Sequence, residues 1–132
     1  MGANARVRVL YGDTDAMGVA YYGSYLRWFE IGRTEWLRHR GMSYKELENN
    51  NIFLPVIEAH CRYCHSSFYD EVLLIQTSFR FASPARLRFD YVIRKESNGQ
   101  VVAEGYTIHA CVDRQYKVHR PPAWLKALLL GS

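Results

Sequence analysis

The chain has 132 residues, of which 48% are hydrophobic and 14% aromatic, so it can bury a core of its own and is not a disordered chain; one domain over residues 1–132 is expected. No run approaches the roughly 18 apolar residues of a membrane helix, and Met1 to Arg6 lacks the apolar stretch of a secretory leader, so no membrane span and a cytoplasmic location are expected. The net charge of +4 fits an anionic partner, either nucleic acid or a phosphate-bearing small molecule, and equally a merely basic surface, so charge alone decides nothing; three cysteines are an odd number for a disulfide framework.

In chain order, Arg6 to Tyr11 starts with alternating basic and apolar side chains, the period of a half-buried strand. A polar loop bounded by Gly12 and Gly18 follows. From about Tyr22 the period becomes helical, with Tyr25, Leu26, Phe29, Gly32, Trp36 and Leu37 on one face and Trp28 and Ile31 widening it, which predicts a long helix covered on more than one side. Gly41 stops it, and the Ser43-x-x-Glu46 spacing starts a short second helix that ends in Asn49 to Asn51. Strands are predicted over Ile52–Tyr63, Val72–Phe81, Arg86–Lys95 and Val101–Asp113, the third with Leu87, Phe89, Tyr91 and Ile93 facing inward. Asn98 and Gly99 suit a tight hairpin with positive φ at both residues, and Pro121 and Pro122 introduce a terminal helix over Ala123–Leu130. The order strand, long helix, four strands predicts an α+β domain, an antiparallel sheet curled around one helix.

Asp13 and Asp15 lie just before the long helix, where free amides and the helix dipole favour carboxylates, and position alone is met by two capping residues. The segment Tyr11-Gly12-Asp13-Thr14-Asp15-Ala16-Met17-Gly18-Val19-Ala20-Tyr21-Tyr22-Gly23-Ser24-Tyr25 carries more. It resembles the signature of the hot-dog-fold acyl-CoA thioesterases. Arg33 to Arg38 and Ala103 to Asp113 extend the resemblance toward the tol-pal-associated branch, while Tyr22 is more like the 4-hydroxybenzoyl-CoA branch. The resemblance implies a five-stranded hot-dog fold, hydrolysis of an acyl-CoA thioester without a cofactor, and a homodimer or homotetramer with the site between subunits. It makes Asp15 the catalytic carboxylate, as nucleophile or as base for water, and the backbone amide of Tyr22, with Gly23 second, the donor to the carbonyl oxygen. Tyr25, Ser83, Arg86 and Arg120 are the expected substrate contacts, the arginines because guanidinium pairs with the phosphates of coenzyme A. Acyl carrier protein is the alternative carrier, and a non-catalytic acyl-CoA or acyl-carrier-protein binding module is the alternative reading.

Cys61-Arg62-Tyr63-Cys64-His65 spells the haem-attachment pattern. Its place at a predicted strand, where residues three apart point to opposite faces, favours free thiols instead of haem or zinc. His109, in phase with Thr107 and Cys111, is expected to pack rather than react. No metal site is expected, and the tyrosines and arginines fit core and strand patterns better than a nucleic-acid surface.

Overall fold

A computed structural model describes residues 3–131. The strands are β1 (Ala5–Arg8), β2 (Val56–Tyr63), β3 (Val72–Ser83), β4 (Arg86–Lys95) and β5 (Val101–Ala110), and the helices α1 (Tyr22–His39), α2 (Tyr44–Asn49) and α3 (Ala123–Leu130). All strand pairs are antiparallel, in the order β1-β3-β4-β5-β2. The hot-dog arrangement, one long helix on a five-stranded sheet, is the one the sequence predicts.

α1 buries Tyr25, Trp28, Phe29, Gly32, Arg33, Trp36 and Leu37. Against it β4 presents Leu87, Phe89, Tyr91 and Ile93, each at most 1% exposed, and the Phe29 and Tyr91 rings stack at 4.3 Å. Gly32 is what lets the helix lie so close. A Cβ there would stand 2.6 Å from Thr77 Oγ1 and 2.8 Å from Ile75 Cγ2, inside contact distance. Leu26 departs from expectation: it is 43% exposed, because the buried sector turns through Ser24, Tyr25 and Trp28 instead.

Several local forecasts are corrected: β2 starts at Val56 rather than Ile52 and β5 ends at Ala110 rather than Asp113. The first strand ends at Arg8 rather than Tyr11, because the Asp13 side chain accepts from the Leu10 amide and folds Tyr11–Asp13 into a single 3-10 turn. The β4–β5 turn is longer than a two-residue hairpin. Only Gly99 takes positive φ, at 74°, while Asn98 instead accepts a side-chain bond from the Gln100 amide, so the Gly99 amide reaches back to the Lys95 carbonyl. α2 starts as read, with Ser43 Oγ accepting from the Glu46 amide.

The consequential feature is the path from β2 to β3. These strands are neighbours in sequence but β4 and β5 lie between them in the sheet, so residues 64–71 must cross the end of the sheet. The crossing segment is tied down at both sides. The amides of Cys64 and His65 donate to the Val102 carbonyl, and Glu71 pairs with Lys95 at 3.1 Å. In crossing it passes the start of α1, where the Ala20 amide donates to the Ser67 carbonyl at 2.7 Å.

Candidate active site at the start of the long helix

The start of α1 is held from both sides by its own loop and by the crossing segment. The Asp13 carbonyl accepts from the Tyr21 amide at 2.7 Å and from Ser24 Oγ at 3.0 Å. The buried Asp13 carboxylate is shared between the Leu10 amide and an ion pair with Arg27. On the other side the Tyr25 hydroxyl bonds Ser67 Oγ at 2.6 Å, and the Tyr63 hydroxyl donates to the Tyr22 carbonyl at 3.2 Å. Asp13 is therefore a structural residue, and all of its polar capacity faces inward.

Asp15 is exposed on the loop, and its Oδ1 accepts from the Met17 amide at 2.8 Å. Its other oxygen has no hydrogen-bond partner among the described residues. The loop closes on itself through the Asp15 amide to the Val19 carbonyl and the Gly18 amide to the Asp15 carbonyl, which fixes the carboxylate without consuming it. Asp15 lines a cleft of about 340 Å³ together with Ala20, Tyr22, Tyr25, Tyr63, Cys64, His65 and Ser66. The amides of Tyr22 and Gly23 head the helix, where the first turn has no acceptors of its own, and neither has a partner among the described residues. A free carboxylate oxygen beside unpaired helix-start amides is an arrangement that can attack, or activate water at, a carbonyl whose oxygen the amides receive.

Of the residues expected from sequence, Asp15, Tyr22 and Tyr25 line this cleft and Gly23 adjoins it in the helix. Tyr25 is only 3% exposed, its hydroxyl held by Ser67, so it forms a wall. Ser83, Arg86 and Arg120 lie elsewhere in the same chain. Ser83 and Arg86 close the β3–β4 turn, and Arg120 stands with His119 and Trp124 beside Cys111, just past the end of β5. That end of the sheet is opposite the start of α1, a helix of 18 residues and thus about 27 Å long.

Tyr63, Cys64, His65 and Ser66 are cleft residues that composition and spacing do not reveal. The only local signal, a Cys-x-x-Cys-His pattern, covers the first three of them, and they reach the site through the end of β2 and the crossing connection. Cys61, Cys64 and Cys111 are free; burial pushes the Cys61 thiol up to about 11 and raises Cys111 as well.

A long helix on an antiparallel five-stranded sheet defines the class of hot-dog proteins. The thioesterase-like superfamily profile matches residues 9–129, and the chain belongs to that family. It is 35% identical over 107 residues, 81% of this chain and 79% of the other, to the acyl-CoA thioester hydrolase YbgC of Escherichia coli O6:H1. The solved structure of a DHNA-CoA thioesterase from Staphylococcus aureus superposes with a TM-score of 0.86 at 31% identity, covering 93% of this chain and 85% of that one. A structure from Thermus thermophilus superposes at 0.90 with 29% identity and 98% coverage of both chains.

Proposed function

We propose that this protein hydrolyses acyl-CoA thioesters, with Asp15 as nucleophile or general base and the helix-start amides of Tyr22 and Gly23 receiving the carbonyl oxygen. The observation that carries the reading is the pairing in one cleft of an uncommitted Asp15 oxygen with unpaired amides at the start of α1. Attack on the thioester carbon moves charge onto the oxygen, where fixed amide dipoles stabilise it more than they stabilise the ground state. The carbon–sulfur bond then breaks and coenzyme A leaves as the thiolate, which takes up a proton. As nucleophile, Asp15 forms a mixed anhydride that water cleaves; as base, it takes the proton of the attacking water. Neither route calls for a resident cofactor. The relatives' activities toward CoA esters support the carrier, with acyl carrier protein as the other carrier to compare.

The free edge of β2 supports a homodimer in this reading. Val56 and Ile57 are 46% and 45% exposed on a strand that pairs only with β5 among the described residues. Arg86 and Arg120 then serve as phosphate contacts supplied across the interface.

The experiment is a hydrolysis screen of the purified protein against short, long and aromatic acyl-CoA esters, read as release of free thiol. Turnover of at least one ester class is expected. Tight acyl-CoA binding with no thiol release across the panel would replace this reading with a binding module.

A further inference from the structure

Resting on that reading, we infer that Tyr63 is a positioning residue of the reaction: its hydroxyl orients and polarises the Tyr22–Gly23 peptide, strengthening the Gly23 amide as the second donor to the oxyanion beside that of Tyr22. The Tyr63 hydroxyl donates to the Tyr22 carbonyl at 3.2 Å, and that carbonyl belongs to the same peptide unit as the Gly23 N–H. A carbonyl oxygen has two lone pairs, so this bond adds to the helix ladder and does not compete with it. Drawing electron density toward the oxygen leaves the nitrogen of the same amide more positive, and linked hydrogen bonds strengthen one another by on the order of 10–30%. The Gly23 amide has no acceptor among the described residues, so the gain is delivered outward at the helix start. The Tyr22 amide belongs to the preceding peptide, whose Tyr21 carbonyl accepts from the Ser24 amide within the chain's own turn at 2.9 Å.

Two further observations hold Tyr63 in this role. Its ring meets Tyr25 edge-on at 5.2 Å, and Tyr25 is itself fixed by Ser67, so the phenol is braced. Partial burial, with Cys61 adjoining, pushes the Tyr63 hydroxyl up to about 12, so it stays a donor throughout the range in which thioesters are handled. Glycine at position 23 fits as well. A Cβ there would come within 2.5 Å of the Tyr21 ring, so a side chain would have to push that ring aside.

The test is Tyr63→Phe, which keeps the ring and removes the hydroxyl. It should lower kcat about three- to tenfold, the scale of one modest hydrogen bond, with KM within about twofold of wild type. The Gly23 amide proton should move upfield in nuclear magnetic resonance spectra, while the amides of Leu73 and Ile93 in the sheet stay in place. Tyr106→Phe removes a comparable bond, from the Tyr106 hydroxyl to Glu58 at 2.6 Å on β2, and should leave kcat unchanged. A wild-type kcat in Tyr63→Phe, a loss confined to KM, or an unmoved Gly23 amide would each overturn the inference. Hydrolysis unaffected by Asp15→Asn would overturn the site reading instead, and the Gly23 resonance would still report on the Tyr63 bond.

Discussion

Asp13 and Asp15 stand two residues apart in the chain and are held differently. Position at a helix start draws both to free amides, and both do accept one, but Asp13 is also buried against Arg27 whereas Asp15 lines the cleft with one oxygen unbonded among the described residues. A carboxylate whose bonds are all internal can only hold structure. Sequence spacing does not separate the two cases, and the family resemblance pointed to Asp15 where composition could not. His109 shows a polar residue committed wholly to the interior. Its Nδ1 donates to the Leu54 carbonyl at 2.9 Å, so Nε2 must accept from Thr107 Oγ1, at 2.8 Å, and Thr107 in turn accepts from the Tyr91 hydroxyl at 2.6 Å. Burial pushes the imidazole down to about 4, while in the unfolded chain it takes a proton near 6.5. The unfolded chain therefore binds more protons than the folded one between those values, and stability falls as the pH drops through the window. Urea unfolding should lose about 2 kcal/mol between pH 7 and pH 5 through this group, and His109→Gln should flatten that loss. A wild-type stability that is level from pH 7 to pH 5 would contradict it.

The elements themselves were largely legible. The helical period from Tyr22, the Ser43–Glu46 cap and the strict alternation of β4 are local patterns, and each appears where the period changes. Strand order was not, because pairing β2 with β5 at the far edge of the sheet is a non-local choice to which no spacing in the chain corresponds. That choice sends residues 64–71 across the start of α1, which is why Tyr63 to Ser66 enter the cleft unannounced. It also leaves β2 as an edge eight residues long with exposed Val56 and Ile57, the kind of edge that invites a partner strand. Light scattering should give at least twice the mass of one chain, and Ile57→Lys should shift the protein toward monomer and lower its activity. A wild-type monomer at assay concentration would remove the dimer from the account.

At the scale of the whole molecule, the arginines expected to hold phosphate lie at the wrong end of their own chain. β2 runs from Val56, beside His109 and the Arg86 end of the sheet, to Tyr63, beside Ala103 and the start of α1. In the proposed homodimer, antiparallel pairing of two such edges would set the Arg86 and Arg120 end of one subunit next to the Asp15 cleft of the other. A single sequence does not display it, because it depends on strand order and on a second copy together. In the proposed reaction the Asp15 carboxylate is the group that opens the thioester. That claim is tested most directly by kcat/KM of Asp15→Asn on the best ester from the screen, with folding verified by circular dichroism. The variant should lose about 100- to 10,000-fold with substrate binding retained; hydrolysis at the wild-type rate would contradict the mechanism.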